Sequence, residues 1–471
     1  MASINYAEAA HLLRRVGFGG SPDDINALVA RGREGAVDFL INYESLDNSA
    51  LDGLLLRSFE DETFNLPGDI QRWWITRMVY TRRPFEEKMT FFWHNHFATA
   101  YSKVFYPYMF IQNKTLRRYA LDRFDTLLLK VAQDPAMLIW LDGVLNVKGN
   151  PNENFARELQ ELFTMGITDI VTGEPNYTEK DVKEIARCFT GYSIKVKRKK
   201  IYKSKFRFDP IFHDFTAKEV YGQTSNYTGE DIVAIISARR ATARFLVSKL
   251  FEFFVYPLTS SKDDLATVEK FANVYINGSH SIRTLARAIF VSDEFFSRRA
   301  RFALIKNPLE FIVGAIRMLG ATYSPGDPSR PDFSVLTRSR QMGLELLNPR
   351  DVKGWDLNLG WLNTSNMLER YNFANYFTTN RETNPNAPGV WITNDQLKKL
   401  TEPTAEGTVR KLLSVLGPIE ADAETINTLT NYLETDDQGN RVSFEVNEAT
   451  IDKLVRGLVH LMMCLQEFHL N

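Results

Sequence analysis

The sequence predicts a mainly α-helical protein, a multi-helix, bundle-like globule that carries one small β-hairpin. Two observations favour helices: apolar residues recur at helical spacing along most of the chain, and residues typical of helix starts and stops separate these stretches. A third observation favours the hairpin, because apolar and basic residues alternate in one segment. Hydrophobic residues make up 44% of the 471, a globular proportion that argues against extensive disorder.

The N-terminal helices show the start and stop signals clearly. Apolar residues over 9–16 share one face, and the Gly-Phe-Gly-Gly segment 17–20 is expected to end that helix. Ser21 then supplies an N-cap and Pro22 a first helical residue for the next helix. Further helices are predicted, in chain order, over 85–96, 152–164, 179–190, 230–255, 263–276, 282–298 and 365–377, with a helical segment from about 393 to the end.

The predicted hairpin occupies about 192–208. Its basic part, 195–207, carries eight positive charges and no acid. Such a run could bind a polyanion, but we favour a charged strand pair whose lysines protect an exposed edge. The stretch 324–361 is rich in Pro, Gly and Asn and predicts a long ordered loop region.

The overall charge excludes some function classes. The 57 basic and 58 acidic residues leave a net charge of −1, so no global field attracts nucleic acid, and a nucleic-acid partner is not expected. We find no apolar run long enough for a membrane span and no leader pattern at the start. We therefore expect a cytoplasmic protein, with an exported protein whose leader has been removed as the alternative.

The first candidate cluster is His94 and His96. Residues at i and i+2 lie about 200° apart on a regular helix, so these imidazoles can face one point only where the helix ends. Neutral imidazole is the commonest metal ligand, and the spacing fits a metal site. The structural alternative is that His96 packs on an apolar face while His94 hydrogen-bonds to the backbone.

The second cluster lies in the predicted helix 152–164. Glu158 and Glu161 are three residues apart, so their carboxylates share a helix face. Paired helical carboxylates form half-sites in metal-binding bundles, although a solvent-facing, salt-bridged stripe is the alternative. Arg157 is expected to orient an anionic substrate or to pair with Glu153 or Glu161.

A third cluster, His213 and Asp214, directly follows the hairpin. An aspartate beside a histidine can accept a ring proton or supply a second metal ligand. Such dipeptides also arise often by chance.

Several blocks resemble the bacterial family catalogued as domain of unknown function 1800. The most specific are Phe92-Trp-His-Asn-His-Phe97 and Asn152-Glu-Asn-Phe-Ala-Arg-Glu158. Further matching blocks, in order, are 9–19, 159–166, 177–181, 187–191, 212–214, 241–245, 306–311, 348–355 and 361–365. The resemblance implies a family-like helical core over 1–380, with 381–471 as a C-terminal helical segment packed on it. It also implies a large bacterial protein, often exported, and a sulfatase-like, neighbour-encoded protein as a candidate partner.

The family's signature positions coincide with the polar clusters. We therefore expect a metal-dependent enzyme, with hydrolysis preferred because no redox cofactor motif is present. The expected ligands of a divalent metal (Zn, Mn or Fe) are His94, His96, Glu158, Glu161 and His213, and the expected catalytic set adds Arg157 and Asp214. The same groups could act as acid and base without a metal. Two other hypotheses stay open: a non-catalytic helical scaffold with a buried polar network, and a polyanion binder that uses the lysine-rich hairpin.

Overall fold

Helices dominate the described part of the chain, which confirms the predicted fold class. The structure is a computed structural model and describes residues 3–52, 66–198, 200–327, 330–382, 384 and 387–471. The chain divides into two units: unit 1 comprises Met1–Lys88, Phe296–Leu346 and Asp356–Asn471, and unit 2 comprises Met89–Phe295 and Leu347–Trp355. The expected division at residue 380 stays a prediction.

Unit 1 is built from helices of different lengths. They are Tyr6–Val16, Pro22–Val29, Gly32–Ile41, Pro67–Tyr80, Pro308–Leu319, Ser334–Gln341, Thr364–Thr379, Asn394–Lys399, Ala405–Val415, Ala423–Leu433, Glu448–Thr450 and Arg456–Met463. A π-helical turn, Ile451–Val455, lies between the last two, and 3₁₀ turns lie at Tyr43–Ser45, Asn358–Trp361 and Gln466–His469. Ser21 caps the second helix as predicted, with its hydroxyl accepting from the amide of Asp24. Helix Ser334–Gln341 lies inside the stretch 324–361, where a loop region was expected, so that prediction is wrong at these residues.

Two short antiparallel strand pairs also belong to unit 1. They are Thr322–Ser324 with Gly389–Trp391, and Gly326–Asp327 with Arg330–Pro331. Helix Pro84–His96 contributes its residues up to Lys88 to unit 1 and the remaining ones to unit 2.

Unit 2 contains the helices that carry the sequence-predicted polar clusters. They are Tyr106–Arg118, Phe124–Ala132, Pro135–Trp140, Asn154–Glu161, Glu179–Cys188, Gly229–Ser237, Arg240–Phe254, Lys262–Asn277 and Ile282–Val291, and Asp293–Phe296 follows at the boundary. Further 3₁₀ turns lie at Gly143–Leu145, Ile201–Lys203 and Pro210–Phe212. The predicted helix 230–255 is two helices, because Arg239 adopts extended backbone angles between them.

The predicted hairpin is present in unit 2. Strands Tyr192–Lys195 and Lys205–Phe208 pair antiparallel, with Tyr192 opposite Phe208. A second pair, Lys218–Val220 with Gln223–Ser225, was not predicted. None of the helices in the described part combines the length and the apolar composition needed to cross a membrane.

An aromatic core supports the end of helix Pro84–His96 in unit 2. The Trp93 ring stacks on Phe97 and Phe124, with centroid separations of 5.5 Å and 6.0 Å. Its indole N–H donates to the carbonyl of Ala120 at 2.8 Å. This packing fixes the helix from which His94 and His96 project.

Candidate functional site

Helix Asn154–Glu161 presents one buried face and one polar face. Its start is held by asparagines, because the side-chain oxygen of Asn152 accepts from the amide of Asn154 at 3.0 Å. Phe155 and Leu159 are buried, whereas the ionisable side chains at 157, 158 and 161 are partly exposed. The helix therefore places Arg157, Glu158 and Glu161 on its polar side.

Arg157 is held by acids on either side of it. Its guanidinium makes two parallel bonds to Glu179, at 2.7 Å and 2.8 Å, and a longer one of 3.3 Å to Glu153. Hydrogen bonds from Arg157 to Glu179 raise the pKa of the guanidinium further above its ordinary value. The predicted pairing with Glu153 is confirmed, the pairing with Glu161 is not formed, and Glu179 was missed.

Glu158 and Glu161 form what we call the carboxylate pair. Within the described residues, neither side chain makes an ion pair, and Glu161 accepts one long hydrogen bond of 3.4 Å from the hydroxyl of Tyr177. Burial raises the pKa of Glu158, and the charge of Glu161 raises it further, against the opposing charges of Arg157 and Lys353. Burial, followed by the charge of Glu161, raises the pKa of Tyr177 to about 12.

The two histidines of the first cluster have different surroundings. His94 is buried, with its ring centroid 5.3 Å from that of Trp355, and this burial lowers its pKa to about 3. His96 Nε2 lies 2.9 Å from the carbonyl oxygen of Phe163, just beyond helix Asn154–Glu161. Burial also lowers the pKa of His96 to about 3, although the Phe163 carbonyl opposes this shift. His96 thus packs against aromatic rings such as Phe92 and Phe97, as the structural alternative expects, and also bonds to the backbone, while the backbone bond expected for His94 stays a prediction.

A tight turn at Gly354 packs against helix Pro84–His96 near His94. The amide of Trp355 donates to the side-chain oxygen of Asn95 at 2.6 Å, and the Trp355 ring stacks on Phe91 at 5.4 Å. Gly354 has a φ of +91°, and a Cβ there would lie 2.3 Å from Asn95 Oδ1 and 2.5 Å from its carbonyl oxygen. Only glycine fits so close to the histidine segment.

His213 and Asp214 do not form a dyad with each other. His213 Nδ1 donates to the carbonyl of Thr190 at 2.8 Å. Asp214 instead accepts from Arg187 Nε at 2.8 Å and from the Thr216 hydroxyl at 2.6 Å. Although burial acts to raise it, these bonds hold the pKa of Asp214 well below its usual range.

The sequence-predicted residues thus fall into three local environments. The carboxylate pair and Arg157 share one helix face, His96 bonds to the backbone beyond that helix, and His213 with Asp214 is tied to Thr190 and Arg187. In the part of the chain that the structure describes, no group of three or more His, Cys, Asp or Glu side chains is placed to hold a metal ion. The expected five-residue metal set stays a prediction.

Sequence reasoning missed Tyr177, Glu179 and Lys353. Tyr177 and Glu179 flank Thr178, which forms a capping box with Asp181 at the start of helix Glu179–Cys188. The block 177–181 was noted only as part of the family resemblance, although its residues also supply partners for the polar face of helix Asn154–Glu161.

Comparison with known proteins identifies a family, but it matches no curated protein and no solved structure. The profile of the family described as "Protein of unknown function (DUF1800)" matches residues 11–470. This match extends well past the block 361–365, the last one noted in the sequence, and past residue 380. Because it spans nearly the whole chain, the protein belongs to the DUF1800 family.

Proposed function

We propose that the protein is a hydrolase in which the carboxylate pair of unit 2 acts as general acid and general base. The observation that carries the proposal is geometric. Glu158 and Glu161 share a helix face, and neither makes an ion pair in the described residues, whereas the adjacent Arg157 is bound to Glu179 and Glu153. Carboxylates kept out of ion pairs beside a paired arginine are available for proton transfer.

The two carboxyl groups have different environments, which suits different roles. The raised pKa of Glu158 favours its protonated form, so Glu158 is the acid that gives its proton to the leaving oxygen. Glu161 lies one helical turn away on the same face and accepts only a long hydrogen bond of 3.4 Å from Tyr177, so in this proposal Glu161 takes the proton of the attacking water. After product release, the proton on Glu161 returns through solvent to Glu158, and the pair is restored.

The test uses purified full-length protein and a panel of nitrophenyl esters, phosphates, sulfates and glycosides. A compound that is hydrolysed should lose about 100-fold or more in rate with Glu158→Gln or Glu161→Gln. The control is Glu406→Gln, which removes an exposed carboxylate of unit 1 that pairs with Arg410, and it should leave the rate unchanged. A substrate that Glu158→Gln hydrolyses as fast as the unaltered protein contradicts the proposal.

Metal dependence is tested in the same assay. A chelator should abolish turnover, and Zn, Mn or Fe should restore it, if a metal supplements the two carboxylates. Retained activity after exhaustive chelation contradicts the metal and leaves the acid–base pair as the mechanism. We prefer hydrolysis as the reaction class whether or not a metal takes part.

A second candidate is a non-catalytic scaffold, which a specific observation favours. His96 and His213 bond to backbone carbonyls, and Asp214 bonds to Arg187, which is the pairwise pattern of a structural polar network. In that case the partner would be another protein, of which a sulfatase-like, neighbour-encoded protein is one candidate. Co-purification that survives Glu158→Gln and accompanies no hydrolytic activity would favour the scaffold. A cytoplasmic location, with export as the alternative, also stays a prediction.

The polyanion hypothesis concerns the basic hairpin alone. Lys197, Lys203 and Lys205 are exposed, and none makes an ion pair in the described residues. A hairpin of this charge would bind heparin with an affinity that falls steeply as salt increases. Binding that does not depend on salt would contradict this candidate.

A further inference from the structure

Unit 1 buries an unusual cluster of charged side chains, which we call the cation cluster. Its members are Arg14, Arg15, Lys88, Lys306 and Arg370 together with a single acid, Glu310. Each of the five cations is at most 4% exposed. Lysine and arginine are almost never buried to this degree unless they are paired.

The acid in the cluster, Glu310, already has two partners. Glu310 forms an ion pair with Lys88, and its other oxygen accepts from the amide of Asn307 at 2.9 Å as part of a helix cap. One carboxylate cancels one positive charge. Among the described residues, Arg14, Lys306 and Arg370 form no ion pair, so their charges need another source of stabilisation.

Neutral groups provide part of that stabilisation. Arg370 Nη2 donates to the carbonyl of Lys306 at 2.6 Å, and Lys306 Nζ donates to the carbonyl of Phe468 at 2.6 Å. Arg14 Nη1 donates to the carbonyl of Gly417 at 2.9 Å. The Lys306 ammonium also lies 4.0 Å from the centroid of the Phe468 ring. Carbonyls and aromatic rings attract cations but leave the net charge unchanged.

Several buried nitrogen atoms in and beside the cluster have no hydrogen-bond partner among the described residues. They are Arg370 Nε and Nη1, Arg14 Nε, and both ring nitrogens of His469. Arg370 is fully buried, and both Arg370 and His469 lie against the Phe311 ring, with the Arg370 Cζ atom 5.2 Å and the His469 ring centroid 5.3 Å from its centroid. A buried charged donor without a partner is costly, so these atoms indicate a missing acceptor.

The charges of the cluster act on one another. Burial lowers the pKa of Lys306 well below its ordinary value, and the charges of Arg14 and Arg370 lower it further. Burial, Arg370 and Lys306 likewise lower the pKa of His469 to about 3. Guanidinium groups stay protonated in proteins, so the arginines keep the cluster positive even where Lys306 gives up its proton.

We propose that the cation cluster binds one small inorganic anion, of halide size, against Arg370, Lys306 and His469. An anion supplies the acceptor for the Arg370 donors and also cancels excess positive charge, whereas a water molecule does only the first. We assign a small anion because Arg370, Lys306 and His469 are each at most 3% exposed, which favours a small ion over a bulky one. This site lies in unit 1 and is independent of the carboxylate pair of unit 2.

The first test is thermal unfolding of the full-length protein in mixtures of sodium chloride and sodium gluconate at constant ionic strength. The unfolding midpoint is expected to rise with the logarithm of chloride concentration, because an anion that binds the folded state alone stabilises it. Arg370→Met should remove this dependence, and the exposed control Arg410→Met should keep it. Equal midpoints in chloride and gluconate would overturn the proposal.

Two further experiments use the unaltered protein, so they do not depend on whether a variant folds. Crystals grown in sodium bromide should show anomalous scattering within hydrogen-bond distance of Arg370 Nε or Nη1, and bromide found on the surface alone, an adventitious ion only, would overturn the proposal. Phosphate should not replace chloride as a stabiliser, because the buried side chains admit a halide-sized ion. Stabilisation by phosphate without stabilisation by chloride would overturn the assigned size.

Discussion

At the residue scale, Asp214 bonds to Arg187 and not to its sequence neighbour His213. His213 has extended backbone angles, with a φ of −87° and a ψ of 142°, so adjacent side chains point to opposite sides. Asp214 therefore reaches Arg187, which lies 27 positions away. Sequence alone could predict the Arg157–Glu153 pair, because helical i, i+4 spacing fixes it, but not the bonds from Arg157 to Glu179 or from Arg187 to Asp214.

Replacing Asp214 should measure the strength of its bonds. We expect Asp214→Asn to lower the free energy of unfolding by about 1–3 kcal/mol at pH 7, since it loses charge-assisted hydrogen bonds. The folded pKa lies below the unfolded value of 3.8, so this stabilisation is present above pH 3.8 and is lost as the pH falls below it. Urea unfolding at pH 7 and pH 3 checks both points. Asp437→Asn, which removes an exposed pair with Lys453, should change little, and an equally small change for Asp214→Asn would contradict the account.

The buried His94 should make stability depend on pH. Its folded pKa of about 3 lies below the ordinary 6.5, so the unfolded chain takes up a proton first as the pH falls. Stability from this residue is full above pH 6.5 and decreases below it by about 1.4 kcal/mol per pH unit. Urea unfolding at pH 7.5 and 5.5 should show a smaller pH dependence in both His94→Phe and His94→Asn. Unchanged pH dependence in both variants would show that folding does not lower the pKa of His94.

At the element scale, local chemistry predicted the helix starts well. Ser21 is an N-cap in the structure as in the sequence, because capping depends on residues within one turn. The break at Arg239 and helix Ser334–Gln341 were not predicted. In both places, packing with distant parts of the chain outweighs weak local preference.

Gly354 offers a sharp test of how the segment Leu347–Trp355 is held in unit 2. Gly354→Ala should destabilise by clearly more than the roughly 1–2 kcal/mol of left-handed backbone strain, because its Cβ would overlap the backbone of Asn95. The matched control is Gly173→Ala, which has a φ of +76° and nothing within 4 Å of the added Cβ. Hydrogen exchange should accelerate over 347–355 in the first variant and not in the second. Equal effects of the two substitutions would rule out the overlap as the cause.

At the scale of the whole molecule, the two units are discontinuous in sequence. Unit 1 gathers three chain segments and unit 2 gathers two. Periodicity and capping report on neighbours along the chain, so they could predict the mainly α-helical class but not this grouping. The buried cation cluster was missed for the same reason: its five cations come from three separate helices and a loop, and each one alone is an ordinary basic residue.

Hydrogen exchange at increasing denaturant should reveal the grouping. We expect described peptides from Met1–Lys88, Phe296–Leu346 and Asp356–Asn471 to share one opening free energy, and those from Met89–Phe295 and Leu347–Trp355 to share another. Peptides from 381–471 that open apart from the rest of unit 1 would instead support the division at residue 380 that the sequence suggested.

The proposed function depends most on the carboxylate pair, and a titration of Glu158 is the most direct test of that pair. A diazo reagent that esterifies protonated carboxyl groups, followed by peptide mass mapping across a pH series, reports the pKa of that side chain. We predict a midpoint above 4.5, the ordinary glutamate value, and a downward shift in Glu161→Gln, which removes the neighbouring charge. A midpoint at or below 4.5 that Glu161→Gln leaves unchanged would contradict the pair.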